Sequence, residues 1–379
     1  MKIFLSLLLV CLVPVISLFA QTGSINNTLG PNGSFNVKDN ASTFLSLNQQ
    51  TGQLSLNRSV ILPNTTDSVL GVIYKNFDRF IHNYSPPGAN GYNTFVGINS
   101  GNFTMTAPNS VYSSYNTALG VASLSSNTMG SGNTTIGVYS LYSNTTGFDN
   151  SAMGIASLYS NTTGEYNTAI GAHSLFSNTT GNYNTAIGKQ SLTSNSTGND
   201  NTAVGILSLS SNTNGSQNCA MGSNSLRYNS TGVQNTAMGS YSLFENTTGY
   251  YNTAMGNESL RSNTTGAGNT AMGSYSLYLN ATGYSNTATG YKSLNSNNTG
   301  NENSAFGDIS LYSNISGNEN SAFGNEALFT NTGSYNSAFG SKSLQSNSTG
   351  EANTAFGIGS LINNTSGNNN TAIGNIAGS

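Results

Sequence analysis

The sequence predicts an all-β fold: a β-solenoid or β-roll of 17-residue repeats, with a small N-terminal β region. The first observation is the repeat itself, because "NTAIGAHSLFSNTTGNY" at 167–183 returns as "NTAIGKQSLTSNSTGND" at 184–200. The second is that Gly and Asn bound each apolar run within a few residues, which leaves too little length for a stable helix. Such a period indicates units that bury their apolar side chains only against their neighbours.

Counting positions from the Asn of each "NTAIG"-like unit gives the register of the repeats. The step from Asn320 to Asn336 spans 16 residues and every other step spans 17. The units begin at Asn116, Asn133, Asn150, Asn167, Asn184, Asn201, Asn218, Asn235, Asn252, Asn269, Asn286, Asn303, Asn320, Asn336, Asn353 and Asn370.

Within one unit, three positions hardly vary. Position 3 is Ala except at Thr135, position 5 is always Gly, and position 9 is Leu in every full repeat. We predict strands at positions 1–4 and 8–11, with turns between them where Gly and Asn supply positive backbone angles. One turn of chain per repeat, rising about 4.8 Å, gives a coil roughly 70 Å long. The predicted inward core includes Leu141, Leu158, Leu175, Leu192 and Leu209.

Position 4 is a large apolar residue in every unit except at Thr289. Because neighbouring residues of a strand point to opposite faces, an inward Ala at position 3 leaves position 4 facing outward. We call this row the assembly stripe and predict that it is buried against other chains, in a homotrimer. The alternative is that a twist or bulge turns positions 3 and 4 into one core. The stripe includes Met238, Met255, Met272, Phe306, Phe323, Phe339 and Phe356.

Composition excludes several classes of function. Only 6% of the residues are charged and the net charge is −3, without the basic run that nucleic-acid binding needs. The chain has two His, and its carboxylates recur at no spacing suited to acid–base chemistry or metal ligation. We therefore predict no catalytic residues, no metal site and no cofactor, and a protein that is not an enzyme.

The N-terminus has the pattern of an export signal. Lys2 precedes an apolar run that ends near Ala20, so we predict a signal peptide over residues 1–20 and a secreted chain without a membrane span. The alternative is an uncleaved membrane anchor. Cys11 lies inside the signal, which leaves Cys219 as a lone neutral thiol rather than part of a disulfide framework.

Residues 21–115 form the predicted N-terminal β region, and residues 116–379 the solenoid. "TFLSLNQQTGQLSL", 43–56, alternates apolar and polar residues on both sides of a turn, which predicts a β-hairpin. The hairpin either caps the coil or adds as a strand to the open edge of another molecule. Repeated head-to-tail addition of that kind would give a fibril.

Position 12 is Asn in every full repeat and mostly starts an Asn-X-Ser/Thr acceptor for N-linked glycan. Two interpretations are open: a ridge of glycans along the coil, or turn chemistry that needs Asn whether or not it carries sugar. The motif fails at Asn127, Asn212 and Asn331. The candidate glycosylation sites are Asn144, Asn161, Asn178, Asn195, Asn229, Asn246, Asn263, Asn280, Asn297, Asn314, Asn347 and Asn364.

The units "NTAIG", "NTAVG" and "NSAFG", each followed by "SL", resemble the head repeats of trimeric autotransporter adhesins and the repeat tracts of bacterial and phage tail-fibre-like proteins. The stretches "GVIYKNFDRFIHNY" at 71–84 and "GYNTFVGINSGNFT" at 91–104 look like the leader of such tracts. This resemblance implies a trimeric parallel β-roll, an extracellular location and an adhesive or fibre-forming role. The heptad stalk and C-terminal anchor strands of the adhesins are missing from the sequence.

These patterns together predict a secreted structural protein that forms an extracellular fibril or adhesive fibre. Two alternatives remain open. In the first, the regular Asn-Thr pairs at positions 1 and 2 form a flat array that binds ice or a polysaccharide. In the second, the chain is a receptor-binding fibre of the tail type.

Overall fold

The computed structural model describes residues 34–38, 43–48, 50–51, 53–56, 62–67 and 71–378. Its described residues form strands, turns and bends without a helix, which confirms the all-β prediction. The chain divides into two compact units, Met1–Leu62 and Pro63–Ser379. The predicted signal peptide lies outside the described residues.

The first unit contains a three-stranded antiparallel sheet. Strands β1 (Ser34–Lys38), β2 (Thr43–Asn48) and β3 (Leu54–Leu56) pair in that order. The side-chain oxygen of Asn48 accepts hydrogen bonds from the backbone N–H groups of Gln50 and Thr51, which fixes the turn between β2 and β3. This pairing confirms the predicted hairpin.

The second unit contains a ladder of paired strands that begins before the repeats. Strands β4 (Ile73–Lys75), β5 (Asp78–His82) and β6 (Thr94–Val96) pair antiparallel in sequence order, and β6 then pairs parallel with the first strand of the repeats. The solenoid therefore starts earlier than residue 116. The segment from Asn93 to Tyr115 is its first rung, 23 residues long instead of 17.

Each repeat contributes one strand of three residues, at positions 2–4, and every strand pairs parallel and in register with the next. The strands are β7 (Thr117–Leu119), β8 (Thr134–Ile136), β9 (Ser151–Met153), β10 (Thr168–Ile170), β11 (Thr185–Ile187), β12 (Thr202–Val204), β13 (Cys219–Met221), β14 (Thr236–Met238), β15 (Thr253–Met255), β16 (Thr270–Met272), β17 (Thr287–Thr289), β18 (Ser304–Phe306), β19 (Ser321–Phe323), β20 (Ser337–Phe339), β21 (Thr354–Phe356) and β22 (Thr371–Ile373).

The prediction of a second strand at positions 8–11 is wrong, because these residues form turns. In the rung that starts at Asn167, His173 and Leu175 have φ angles of 57° and 50°, in the left-handed region that L-residues seldom adopt. These angles fold the chain into tight corners and point the Leu inward. Positive angles were predicted for Gly and Asn. Gly at position 5 does adopt one, whereas Asn at position 12 does not.

Backbone hydrogen bonds link successive rungs outside the strands as well. Leu175 N–H donates to Ser191 O at 3.0 Å, and Thr179 N–H donates to Ser196 O at 2.9 Å. Such bonds satisfy corner groups that a short strand alone would leave without partners. Backbone hydrogen bonds between rungs therefore occur around much of each rung, although only three residues of each rung form a strand.

The core of the coil is a column of small and medium-sized side chains. Ala at position 3 and Leu at position 9 are buried along the repeats, and the five Leu predicted to be inward, from Leu141 to Leu209, are fully buried. Ser at position 8 and Asn at positions 1 and 12 are buried beside them. Because three of these five core positions are polar, the stability of the coil depends on the hydrogen bonds that these side chains make.

Candidate functional site

The outward face of the sheet is the most regular surface of the second unit. Position 4 points away from the core in every strand, as predicted, while Ala at position 3 points inward. The alternative in which a bulge brings both positions into one core is wrong. Met238 and Met255 are each 38% exposed, and Phe356 is 58% exposed. The face therefore carries an apolar row one residue wide, which only Thr289 interrupts.

Aromatic side chains stack along part of the assembly stripe. The rings of Phe306 and Phe323 lie 4.8 Å apart and within 10° of parallel, and those of Phe323 and Phe339 lie 4.8 Å apart and within 6°. Stacking at the strand spacing holds each ring in one orientation. The Phe part of the stripe is thus a preformed, flat apolar surface.

Position 2 forms a second outward row beside the stripe, mostly of half-buried Thr and Ser. Cys219 takes this position in one rung and is a free thiol whose pKa is raised by burial. Burial favours the neutral thiol, so the structure agrees with an unreactive side chain that replaces Thr. The face as a whole pairs a hydroxyl row with an apolar row.

The Asn at position 1, proposed as half of an Asn-Thr surface array, lies inside the coil. Asn167 is fully buried, and its amide nitrogen donates to Asn150 Oδ1 at 3.1 Å and to Gly181 O at 2.9 Å. The Asn therefore presents no group to ice or to a polysaccharide. The prediction of an Asn-Thr binding array is wrong for this reason, and only the Thr of each pair faces outward.

The twelve candidate glycosylation sites also point into the coil. Asn178 is fully buried, and its Nδ2 donates to Asn161 Oδ1 at 2.8 Å and to Gly181 O at 3.0 Å. Asn364 is half-buried and makes the equivalent two bonds. Both amide hydrogens are in use, and a sugar on this nitrogen would replace one of these bonds inside the coil. This placement supports the structural interpretation of the motif, and glycosylation of these Asn residues stays a prediction.

Sequence reasoning missed the two columns that these Asn residues form. Column 1 consists of the Asn residues at position 1, and column 12 of those at position 12. In both columns the side-chain amide of each Asn donates a hydrogen bond to the side-chain oxygen of the Asn in the preceding rung. The available signal was that Asn persists at position 12 even where the glycosylation motif fails. Asn127, Asn212 and Asn331 are all fully buried members of column 12.

Titratable groups are scattered over the described residues, and none of their His, Cys, Asp and Glu side chains cluster in a way that could hold a metal ion. His82 is buried between Phe95 and Phe103, with ring centroids at 4.7 and 4.6 Å. Burial is the main cause that lowers its pKa to about 4; the bond from Nε2 to Ser100 O opposes this shift and nearby Arg79 adds to it. His82 is therefore a neutral core residue of the first rungs.

The comparisons with known proteins add no relative. No protein-family model matches the chain, and neither the curated proteins nor the solved structures contain a significant match. The fold thus rests on the repeat and its geometry. Among the described residues, no helix has the length and apolar character needed to cross a membrane.

Proposed function

We propose that this chain is a secreted structural protein whose coils associate through the assembly stripe and build an extracellular fibre. The observation that carries the proposal is the apolar row that faces outward on every strand from Leu119 to Ile373, with a polar residue only at Thr289. Secretion is supported by the apolar leader at residues 1–20.

The size of the stripe supports association. Large apolar side chains have about 150–200 Å² of surface each, so the exposed fractions in this row add up to roughly 1,000 Å². A contiguous apolar patch on a monomeric protein seldom exceeds a few hundred Å². A stable interface buries about 800 Å² on each partner, so the stripe alone is large enough for one.

A second copy of this chain is the partner that matches the stripe best. A partner must offer apolar side chains at the spacing of parallel strands, about 4.8 Å, over the whole row. Another copy presents the same row at the same spacing. Three coils that turn their stripes toward a common axis, as the resemblance implies, would bury the row, and so would two coils placed face to face.

The ladder also has a direction that suits fibre growth. Every side-chain amide of column 12 donates toward the preceding rung, as Asn195 does to Asn178 and Asn212 to Asn195. A further rung placed after the last strand would continue the same bonds at the side-chain oxygens of Asn364 and Asn370. Lateral association through the stripe and addition along the axis are therefore compatible within one fibre.

Sedimentation velocity on the wild-type chain and two triple variants tests the proposal. The first variant carries Met238→Thr, Met255→Thr and Met272→Thr, and Thr already occurs in this row at Thr289. We expect the wild-type chain to associate and this variant to associate at least tenfold more weakly, because apolar contact is lost at three successive rungs.

The matched control removes exposed apolar side chains elsewhere. Ile155, Ile206 and Ile315 are 56%, 54% and 53% exposed and lie at positions 6 and 13, outside the stripe. Their replacement by Thr should leave association unchanged. A wild-type chain that sediments as single coils at all concentrations would contradict the proposal, and so would equal effects of the two triple variants.

A further inference from the structure

A cleft interrupts the regular surface where the long first rung meets the repeats. Its volume is about 460 Å³, within the usual range for small-molecule sites. One wall comes from the segment that makes the rung from Asn93 to Tyr115 longer than the others, and the opposite wall comes from Phe148 and Asp149 two rungs later. The cleft therefore belongs to the one rung that departs from the repeat length by several residues.

A missing side chain opens this cleft. Tyr92, Tyr115, Tyr166 and Tyr183 all occupy position 17, and they stack in two pairs, with ring centroids 5.6 Å apart in the first pair and 5.0 Å in the second. Gly132 and then Asp149 take the same position between the two pairs. A Cβ atom at Gly132 would lie 2.1 Å from Asp149 Oδ1, so no larger residue fits while that carboxylate lies over it.

The lining combines aromatic rings with a single negative charge. Tyr112 and Tyr115 are 41% and 48% exposed, and Phe148, whose ring meets Tyr166 at 82°, lines the other wall. Asp149 supplies the carboxylate, and the side chains that line the cleft include no Lys, Arg or His. The faces of aromatic rings attract cations, and a carboxylate adds a full opposite charge.

We propose that this cleft binds a quaternary ammonium group, a cation whose outer surface consists of methyl groups. Its charge complements Asp149 and the aromatic rings of Tyr112, Tyr115 and Phe148, and its methyl groups suit the apolar part of the walls. Asn109 and Ser131 also line the cleft, so its polar side chains are few beside the rings and Val111. A primary ammonium ion gives up more hydration on entry than a quaternary one, whose methyl groups need no hydrogen bonds.

Saturation-transfer NMR of the full chain with choline as the probe tests this site, because the method reads single coils and assembled fibres alike. We expect saturable binding with a dissociation constant of roughly 1 mM. The uncharged analogue 3,3-dimethyl-1-butanol, which replaces the nitrogen by carbon, should bind about tenfold more weakly. Methyl β-glucoside should not bind at this site.

Two variants and one control assign the binding to the cleft. Asp149→Asn removes the charge and Phe148→Leu removes a ring but keeps an apolar side chain, and each should weaken choline binding about tenfold. Asp200→Asn is the control, because Asp200 has the same position in its rung and a similar φ angle, 56° against 52°, without lining the cleft. It should leave binding unchanged.

Three results would overturn the proposal. One is the absence of saturable choline binding to the wild-type chain. Another is equal binding of choline and its uncharged analogue, or binding of the glucoside in place of choline. The third is that Asp200→Asn weakens binding as much as Asp149→Asn, since that would show only a general effect of surface charge. Loss of association by the stripe variants would leave each of these results unaffected.

Discussion

The side-chain amide of Asn178 donates a hydrogen bond to the side-chain oxygen of Asn161 in the preceding rung, at 2.8 Å, and both side chains are fully buried. The same contact joins Asn195 to Asn178, and the column continues through the repeats. A buried amide without a partner costs about 1–3 kcal/mol, so each Asn stabilises the rung on either side of it. The coil is therefore held together by a polar column as much as by its Leu residues.

Asn178→Asp should destabilise the coil by about 3 kcal/mol or more, because it removes both donated bonds and buries a carboxylate against Asn161 Oδ1 and Gly181 O. Denaturant unfolding followed by circular dichroism measures the change. The control is Asn182→Asp, since Asn182 is half-buried and its Oδ1 accepts from Glu165 N–H, a bond that Asp can also accept. Equal destabilisation by the two substitutions would contradict the role of the column.

Gly205→Ala should cost several kcal/mol, roughly 3 or more, because Gly205 has a φ angle of 134° and an added Cβ would lie 2.6 Å from Gly222 O in the next rung. The same unfolding measurement applies. Gly268→Ala is the control: Gly268 has a φ angle of 67°, and the nearest atom to an added Cβ is Ser285 Oγ at 3.7 Å. We expect a cost of about 1 kcal/mol or less there.

A chain produced in glycosylating cells should carry no N-linked glycan at Asn178 and its equivalents in the other rungs. The sequence supplies an internal control, because Asn214-Gly-Ser and Asn257-Glu-Ser are also acceptor motifs and both Asn residues are exposed. Within the repeats before Asn353, glycopeptide mass spectrometry of the folded protein should find any glycan at these two sites. Glycan at Asn178 in a chain that keeps its circular dichroism spectrum would show that the buried column is wrong.

The first rungs should lose stability as the pH falls from about 6.5 toward 4. The pKa of His82 is about 4 in the folded chain, chiefly because of burial, against 6.5 for an exposed His. The unfolded state therefore binds the proton first, so the contribution is complete above pH 6.5 and falls below it, by up to about 3 kcal/mol. Hydrogen exchange of residues 78–103, corrected for intrinsic rates, measures this.

His82→Gln should remove that pH dependence, whereas His173→Gln should keep it, because His173 is exposed on a corner of its rung. A wild-type chain whose protection in residues 78–103 is constant between pH 7 and pH 4.5 would contradict the placement of His82.

Much of the fold could be predicted from the sequence because the repeat constrains it. Ala at position 3 and the apolar row at position 4 determine which side of the strand faces the core, since a strand alternates its faces. The corners could not be predicted. Leu175 has a positive φ angle that is unfavourable for Leu in isolation, and its burial in the core and its hydrogen bond to the next rung hold it there. That is why a strand was expected at positions 8–11.

The orientation of position 12 was ambiguous in the sequence for a different reason. "NTTG" is at once a glycan acceptor, a turn motif and a member of a buried column, and all three need the same Asn.

The cleft beside Gly132 also has no repeat signature, because it results from a longer rung and an absent side chain. Features that break a period are harder to predict than those that follow it.

The measurement that tests the central claim most directly is a cryo-electron microscopy map of the purified protein at a resolution that shows side chains. We expect two or more coils in contact, with Met238, Met255 and Met272 at the interface between chains and the Asn at position 12 inside each coil. Single coils whose assembly stripe faces solvent throughout would contradict self-association through this face.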